Sequence, residues 1–313
     1  MAGTVGDLGE MALVEAITAR MAGGAAVLLG PGDDAAVVSA EDGRFVATTD
    51  VLVEGRHFRR DWSSAHDIGS RAAAANMADV VAMGAVPTAL LVGLAVPADR
   101  EVDWVLELAD GLSAEAATAG AAVAGGDVVR SDTVVVSVTA LGTLQGRSPV
   151  TRSGARPGDL VAVAGRLGWA AAGLAVLSRG FRSPRTLVEA HRRPAPPYAE
   201  GPRAAALGAT AMVDVSDGLV ADLGHVARAS GVAVSLHSDA FHVPQEFQDT
   251  ARALSADPLH WLLGGGDDHA LAACFPAEVD LPMAWSVVGR VEEGEGVLVD
   301  GTPWTGPTGW AAF

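Results

Sequence analysis

Aspartate residues in this chain collect at six short sites, most of them glycine- or threonine-containing turns at the end of an apolar run. The sites lie at 30–34, 48–50, 76–79, 125–127, 214–218 and 264–268. One Asp-Gly turn is ordinary turn or helix-capping chemistry. Six such sites in one chain favour a shared role, because carboxylates that converge cost several kcal/mol per ion unless a cation offsets their charge.

Oxygen-rich sites of this kind suit a hard divalent cation. Mg²⁺ is typically held by carboxylates, water and nucleotide phosphates, and glycine-rich turns allow a backbone to approach phosphates closely. The residue types therefore predict a Mg²⁺-dependent phosphate or nucleotide site. This prediction requires the fold to bring the six sites together.

The elements that must position these sites alternate between helix and strand. Helical spacing of apolar residues predicts helices over 13–21, 66–83, 102–119, 169–178 and 219–229. Apolar and β-branched runs predict strands over 45–50, 88–96, 133–141, 160–164, 212–215, 232–236, 271–275, 285–291 and 296–299. Residues 125–127 are interpreted as a turn before the strand at 133. The predicted fold class is therefore α/β, in the broad sense that includes α+β.

A change of composition divides the chain. Residues 145–159 are dense in Gly, Pro, Ser and Arg and have no apolar period, which predicts a domain boundary near residue 150. We therefore expect two mixed α/β domains, over 1–150 and 151–313, as the length of 313 residues also suggests.

Charge and composition exclude several classes of function. The formal net charge is −17, so the surface should repel nucleic acid and anionic lipid. All 21 cationic residues are arginine. Without lysine there is no Walker A lysine, no protein-kinase strand lysine and no Schiff-base lysine. The single cysteine, Cys274, excludes an intramolecular disulfide and a cysteine-based metal centre.

A cytoplasmic location without membrane insertion is the expectation from the remaining features. Met1–Glu10 has no basic region and already carries two acids, unlike a signal peptide. The uncharged stretch Val80–Ala98 is interrupted by glycines and prolines. We therefore expect it to form a helix end, a turn and a buried strand rather than a membrane span.

The six sites, with their neighbours, resemble the thiamine-monophosphate kinases, members of the superfamily that includes the aminoimidazole ribonucleotide synthetases. The segments that carry the resemblance keep the order of the family and cover nearly the whole chain. They are GDLGE (6–10), GDDAA (32–36), TDVLVEGRHF (49–58), NMAD (76–79), MGAVP (83–87), GGD (125–127), TRSGARPGD (151–159), DVSDGL (214–219) and GGDD (265–268).

The resemblance implies a reaction, a fold and a partner. ATP and thiamine monophosphate would give thiamine diphosphate and ADP by direct transfer, assisted by several Mg²⁺ ions. The domain at 1–150 would bind ATP and Mg²⁺ and contribute strands to a barrel shared by the two subunits of a homodimer. The domain at 151–313 would complete the nucleotide and substrate site.

The resemblance also implies site residues, position by position. The implied Mg²⁺ ligands are Asp34, Thr48, Thr49, Asp50, Asp79, Asp127, Asp214 and Asp217. Contacts with ATP are implied for Gly126, Asp127, Arg152 and Ser216, and contacts with thiamine monophosphate for His57, Asp267 and Trp310. Asp34 is preferred to Asp33 because adjacent residues rarely share one ligand sphere.

The chemistry of this reaction agrees with the residue types. The acceptor is a phosphate monoester with a second pKa of about 6, so it is mostly dianionic at neutral pH and needs no general base. Phosphoryl transfer depends mainly on positioning and charge neutralisation. We expect Asp127 and Arg152 to serve that neutralisation, Arg152 by clamping phosphate with its guanidinium.

Two segments depart from the pattern of the family. Its paired glycines are usually followed by an acidic residue, Asp, Tyr and Glu, where this chain has Asp-Asp-His-Ala at 267–270. Its members often end Trp-Asp-His-Phe, where this chain ends Trp-Ala-Ala-Phe. Two alternatives stay open: another ATP-using enzyme of the superfamily, such as a purine-pathway synthetase, and a catalytically degenerate paralogue that binds nucleotide.

Overall fold

The structure, a computed structural model, describes residues 3–21, 23–30, 36–307 and 309. These residues form two compact units. Unit 1 lies within Met1–Val80 and Ala85–Gly146, and unit 2 lies within Val81–Gly84 and Arg147–Phe313. Helices and strands alternate through both units, so the expected mixed α/β fold class is confirmed.

Unit 1 is built on a four-stranded sheet. The strands described in the whole of unit 1 are β1 (Val27–Leu29), β2 (Val37–Val38), β3 (Val46–Val53), β4 (Val86–Val96), β5 (Ala122–Arg130) and β6 (Val135–Thr143). β1 and β2 form an antiparallel pair, and the other four strands have the order β3, β6, β4, β5. β6 is antiparallel to both of its neighbours, and β4 is parallel to β5. β3 and β5 are therefore the two edges of this sheet.

Among the described residues of unit 1 there are four helices. They are α1 (Val5–Leu8), α2 (Glu10–Thr18), α3 (Ala65–Ala82), whose last two residues belong to unit 2, and α4 (Val102–Thr118). Two of them, α3 and α4, lie against one face of the four-stranded sheet. The alanine content of α3 favours a helix, and Ser64 and Asp67 cap its first turn reciprocally. Gly69 allows α3 to approach α4, because a Cβ at that position would overlap the carbonyl oxygen of Leu108.

The opposite face of this sheet, which we call the open face, is accessible. Along β6, Val136 and Val138 are buried whereas Ser137 and Thr139 are half-buried, as strand alternation requires for a sheet covered on one side. Strand pairing places Val51 and Leu91 on the same side as Ser137 and Thr139.

Unit 2 contains a seven-stranded sheet. Its strands are β7 (Leu160–Ala164), β8 (Ala211–Val215), β9 (Ala233–Leu236), β10 (Ala270–Phe275), β11 (Trp285–Glu292), β12 (Gly296–Val299) and β13 (Thr302–Pro303). Their order is β13, β12, β9, β11, β7, β10, β8. β8 and β10 are buried along their whole length, and Phe275 packs edge-to-face on Trp285 at 5.1 Å. This core supports the turns that follow β8 and precede β10.

The helices of unit 2 are α5 (Trp169–Ser178), α6 (Arg185–Arg192), α7 (Glu200–Ala206), α8 (Leu219–Ser230), α9 (Gln245–Leu254) and α10 (Pro258–Gly264), with a 3-10 turn at Ser238–Ala240. Among the residues described in either unit, no helix is long and apolar enough to cross a membrane. Residues 80–98 form the end of α3, a turn and β4, as expected from their glycines and prolines.

Two expectations about local structure are wrong. Gly125–Asp127 is not a turn but part of β5, where a Cβ at Gly126 would overlap the carbonyl oxygen of Val92. Glycine at this position therefore allows the parallel strands β4 and β5 to approach each other closely. Thr48–Asp50 does not end its strand, because β3 continues to Val53 through pairing with β6.

Candidate functional site

In unit 1, β3 and α3 bring two of the predicted metal ligands together. The hydroxyl of Thr48 donates a hydrogen bond of 2.8 Å to Oδ2 of Asp79. Asp50 lies two residues further along β3 and therefore on the same face as Thr48. Thr48, Asp50 and Asp79 thus form a group of oxygen donors at the edge of the sheet.

Asn76 fixes the strand edge that carries this group. It is fully buried on α3, one helical turn before Asp79. Its Oδ1 accepts from the backbone N–H of Asp50 at 2.8 Å, and its Nδ2 donates to the carbonyl oxygen of Ala72 at 2.9 Å. The amide satisfies an edge-strand N–H and holds β3 against α3.

Thr49 and Asp127, two further predicted ligands, lie on the open face instead. The Thr49 hydroxyl donates to the carbonyl oxygen of Val138 at 3.0 Å. Asp127 is exposed on β5, and its Oδ1 accepts from the N–H of Val128 at 2.9 Å. Since β3 and β5 are opposite edges, their backbones are separated by roughly 14 Å, three strand spacings. Within one chain, the structure does not bring Asp127 together with the Thr48 group.

His57, a predicted substrate contact, follows β3. Its Nδ1 accepts from the backbone N–H of Val53 at 3.0 Å, which places the proton of a neutral ring on Nε2. A cavity of about 490 Å³ lies in the same segment of unit 1 and is lined by Glu54, Gly55, Arg59, Arg60 and Asp61.

In unit 2, the turn after β8 carries Ser216 and Asp217 and is anchored by Asp222. One carboxylate oxygen of Asp222 accepts from the backbone N–H groups of Ser216, Asp217 and Gly218 at 3.1, 3.1 and 3.0 Å. Asp222 is buried in the first turn of α8, where a negative charge also complements the helix dipole. Burial nevertheless raises the pKa of Asp222 to about 7.

The turn before β10 packs directly against the turn after β8. The backbone N–H of Asp267 donates to the carbonyl oxygen of Ser216 at 2.8 Å, and that of His269 donates to Val215 at 3.0 Å. Both Asp267 and His269 have positive φ. Nδ1 of His269 also lies 3.1 Å from Oδ2 of Asp214, and both side chains are buried. Asp214, Asp217 and Asp267 are therefore carried by one hydrogen-bonded pair of turns.

The carboxylates on these turns affect one another electrostatically. Burial is the main cause that raises the pKa of Asp217, and the charges of Asp214 and Asp267 raise it further. His225 and Arg152 act in the opposite direction. A bound cation would relieve this repulsion, so the donor chemistry of the pair of turns suits Mg²⁺.

Asp268, unlike its neighbour Asp267, points into the protein. Its Oδ1 accepts from the backbone N–H of Ala170 at 3.0 Å, at the N-terminus of α5. Its Oδ2 is buried and has no hydrogen-bond partner among the described residues. Burial raises the pKa of Asp268 to about 7. The residue is therefore a cap for α5 rather than a surface ligand.

Arg152 stands in the loop that precedes β7. Its carbonyl oxygen accepts a hydrogen bond of 3.1 Å from the hydroxyl of Ser230 at the end of α8. Its guanidinium influences the pKa values of Asp217 and His225. Arg152 thus belongs to the same charged neighbourhood as the turn that follows β8.

Two predicted site residues, Asp34 and Trp310, lie outside the described residues. In the part of the chain that the structure describes, no three His, Cys, Asp or Glu side chains cluster closely enough to hold a metal ion. The predicted ligands form pairs and electrostatic neighbours instead. Every predicted donor is an oxygen atom, which fits a hard cation such as Mg²⁺.

Comparison with known proteins identifies the family. Residues 32–144 match the family model described as the AIR synthase related protein, N-terminal domain, and residues 156–300 match the corresponding C-terminal domain. A thiamine-monophosphate kinase of Mycobacterium tuberculosis is 49% identical over 312 residues, which cover 99% of this chain and 93% of that protein. The chain belongs to the thiamine-monophosphate kinase family.

Solved structures of the family have the same fold. The thiamine-monophosphate kinase of Stenotrophomonas maltophilia K279a has a TM-score of 0.82 and 34% identity, covering 93% of this chain and 96% of that one. The structure of AaThiL complexed with AMPPCP and TMP has a TM-score of 0.81 and 31% identity, covering both chains completely. The resemblance read from the sequence motifs is therefore confirmed.

Sequence reasoning missed the residues that hold the candidate ligands in place. Asn76 belongs to the NMAD segment that also contains Asp79, and no motif of the sequence includes Asp222 or Ser230. An acid four residues after Gly218, in the first turn of a helix, is a capping signal that could have revealed Asp222. No local pattern points to Ser230, whose partners lie more than 70 residues away.

Proposed function

We infer that the protein transfers the γ-phosphoryl group of ATP to thiamine monophosphate, giving thiamine diphosphate and ADP. The observation that carries this inference is the full-length match, at 31% identity, to AaThiL complexed with AMPPCP and TMP. AMPPCP is an analogue of ATP. Relatives from Mycobacterium tuberculosis and Corynebacterium glutamicum, at 49% and 38% identity, are thiamine-monophosphate kinases by name.

The reaction joins two anions, so charge neutralisation is the main task of the site. The acceptor phosphate is mostly dianionic at neutral pH, given a second pKa of about 6, and attacks without losing a proton to a base. The protein must therefore align the acceptor oxygen with the γ-phosphorus and offset the charge that gathers there. No general base is assigned.

We propose that each unit carries oxygen donors that hold Mg²⁺. On unit 1 the hydrogen-bonded Thr48 and Asp79, with Asp50, are the strongest candidates. On unit 2 the candidates are Asp214 and Asp217, whose mutual repulsion a cation would relieve. The proposed set is completed by Asp34, Thr49 and Asp127. When bound, Mg²⁺ neutralises phosphate charge and orients the phosphoryl group.

Arg152 and Ser216 are proposed to contact the phosphates of ATP on unit 2. The chain has no lysine, so arginine is the only permanently charged side chain that can offset phosphate charge. The last residue of α8 holds the loop of Arg152, and the first turn of the same helix holds the turn of Ser216 and Asp217. On unit 1 we propose that Gly126 and Asp127 contribute, from an exposed part of β5.

His57, Asp267 and Trp310 are proposed to contact thiamine monophosphate. Asp267 is held by its backbone bond to Ser216, and its carboxylate suits the cationic thiazolium ring. His57 would donate from Nε2, since its Nδ1 already accepts from Val53. Trp310 would stack on a ring of the substrate, with cation–π attraction if that ring is the thiazolium.

A homodimer is proposed as the functional assembly. The open face of the sheet in unit 1 exposes Val51, Leu91 and Val129 to 46%, 37% and 50%. Apolar residues that are exposed together on one face of a sheet indicate an interaction surface. We propose that the open faces of two copies meet and close their strands into a shared barrel.

A cytoplasmic location is proposed from the cysteine content. Cys274 is the single cysteine of the sequence and is buried in β10, where burial raises the pKa of its thiol to about 12. Such a buried thiol is unreactive. A sequence that forms no intramolecular disulfide is typical of a reducing compartment such as the cytoplasm.

The proposed reaction is tested by offering the purified protein two alternative acceptors with ATP and Mg²⁺. Thiamine monophosphate is expected to yield ADP and thiamine diphosphate in equal amounts, measured by chromatography. Formylglycinamidine ribonucleotide, a substrate of purine-pathway relatives, is expected to yield no ADP. Turnover of the ribonucleotide would contradict the proposal and indicate a purine-pathway synthetase. Binding of nucleotide without turnover of either acceptor would indicate a catalytically degenerate paralogue.

A further inference from the structure

Ser230, the last residue of α8, makes three hydrogen bonds to one short loop. Its hydroxyl donates to the carbonyl oxygen of Arg152 at 3.1 Å and accepts from the N–H groups of Gly154 and Ala155 at 3.1 and 3.2 Å. A hydroxyl has one donor and two acceptor positions, so these contacts use its full capacity. One side chain therefore fixes the backbone on both sides of Ser153.

The same loop is confined on its other side by a close backbone approach. Gly154 has a φ of +140°, and a Cβ at this position would overlap the carbonyl oxygen of Thr210. The carbonyl oxygen of Thr151 accepts from the N–H of Met212 at 3.1 Å. The loop is thus attached to the start of β8 at one point and to α8 through Ser230.

The opposite end of α8 anchors the turn that carries Ser216 and Asp217. Asp222 accepts the N–H groups of both residues. Asp222 and Ser230 are eight residues apart on the helix, which is about 12 Å along its axis. One rigid helix therefore holds the turn at one end and the Arg152 loop at the other.

The hydrogen bonds of α8 connect both held segments to one helix, and charge effects on that helix agree with this placement. His225 lies on α8 between the two anchors. Burial lowers the pKa of His225, the positive charge of Arg152 lowers it further, and the negative charge of Asp217 raises it.

We propose that Ser230 is a positioning residue for ATP, which acts by holding Arg152 at a fixed distance from the turn of Ser216 and Asp217. The proposal rests on the proposed contact of Arg152 with ATP. Removal of the hydroxyl releases the loop from α8 and leaves α8, the sheet and the attachment of the loop to β8 in place. The effect should therefore appear in the KM for ATP, with kcat preserved.

The test compares Ser230→Ala with Ser230→Thr, which keeps the hydroxyl, and with Ser178→Ala. Ser178 is exposed and ends α5 as Ser230 ends α8, so it is a matched control. Ser230→Ala is expected to raise the KM for ATP about 3- to 10-fold, the worth of one or two hydrogen bonds. Ser230→Thr should restore the KM of the parent protein, and Ser178→Ala should leave it unchanged. A parental KM in Ser230→Ala overturns the proposal.

Arg152→Ala separates this inference from the proposed function. If Ser230 acts through Arg152, Ser230→Ala raises the KM for ATP no further in an Arg152→Ala background. Additive effects of the two substitutions overturn the role of Ser230 and leave the proposed function intact. A parental KM in Arg152→Ala alone overturns the proposed contact of Arg152 with ATP, and the role of Ser230 with it.

Amide hydrogen exchange gives a readout that does not depend on activity. The N–H groups of Gly154 and Ala155 should exchange faster in Ser230→Ala than in the parent protein, because their acceptor is removed. Exchange at α8 should stay unchanged. Unchanged exchange at Gly154 and Ala155 would overturn the proposed loss of anchorage.

Discussion

Nδ1 of His269 lies 3.1 Å from Oδ2 of Asp214, and both side chains are almost completely buried. The pair joins the turn before β10 to the end of β8. His269 stands where thiamine-monophosphate kinases usually have an aromatic residue after Asp. The residue at this departure from the family pattern therefore contacts the carboxylate of Asp214, which we propose as a Mg²⁺ ligand.

Replacement of His269 should separate hydrogen bonding from packing. His269→Leu leaves the buried carboxylate of Asp214 without this partner, which costs about 1–3 kcal/mol. We expect a lower unfolding temperature and a higher Mg²⁺ concentration for half-maximal activity. His269→Asn keeps a donor and should lie closer to the parent protein in both measurements. Equal behaviour of the two variants would show that the hydrogen bond is irrelevant.

The buried carboxyl group of Asp268 should make the free energy of unfolding depend on pH. Its pKa in the folded protein is about 7, against 3.8 for an ordinary Asp, so between these values the folded state retains a proton that the unfolded state has lost. The free energy of unfolding therefore falls as pH rises through this window, by at most about 1.4 kcal/mol per pH unit from this group.

Asp268→Asn should remove this contribution. The stability of the variant relative to the parent protein is expected to increase as pH rises from about 4 to about 7, as measured by denaturant unfolding at several pH values. Asp132→Asn, at an exposed position, serves as the control and should follow the parent protein. A constant difference between Asp268→Asn and the parent across the window would contradict the buried, protonated state.

Asp79 should control the metal requirement from α3. Asp79→Asn weakens a proposed ligand and changes its hydrogen bond with Thr48. The Mg²⁺ concentration for half-maximal activity is expected to rise about 10- to 100-fold, a typical range for altered metal surroundings. Asp67→Asn, at the capping end of the same helix, should alter stability and leave the Mg²⁺ dependence unchanged. A Mg²⁺ dependence that moves equally in both variants would point to helix stability instead.

The open face should determine the assembly state. Leu91→Glu places a charge among exposed apolar residues of the sheet in unit 1 and is expected to shift the mass in light scattering from twice 31.6 kDa to 31.6 kDa. Met283→Glu changes an apolar residue that is fully exposed in unit 2 and should have no effect. A dimer that survives Leu91→Glu would place the interface elsewhere.

Local sequence patterns predicted the elements well where apolar residues form a helical stripe or a continuous buried run. The helix expected over 219–229 is observed as Leu219–Ser230, and the buried strand at 271–275 as Ala270–Phe275. The glycines at 125 and 126 led to the wrong prediction of a turn. A glycine that allows two strands to approach closely cannot be distinguished in the sequence from a glycine that forms a turn. Only the parallel pairing of β4 with β5 distinguishes the two cases.

The arrangement of the candidate site depended on contacts between distant residues. His269 and Asp214 are 55 residues apart, and Ser230 and Arg152 are 78 apart. The spacing of aspartates predicted which residue types would do chemistry. It did not predict that Thr49 and Asp127 lie on the open face, since that depends on strand register.

The most direct test of the account follows the terminal phosphate of ATP. Protein, thiamine monophosphate and ATP labelled in the γ-phosphate are incubated with Mg²⁺ in one tube and with excess EDTA in the other, and the products are separated by chromatography. The account predicts label in thiamine diphosphate only in the tube with Mg²⁺. Label that stays in ATP in both tubes, or that appears as free phosphate, would contradict it.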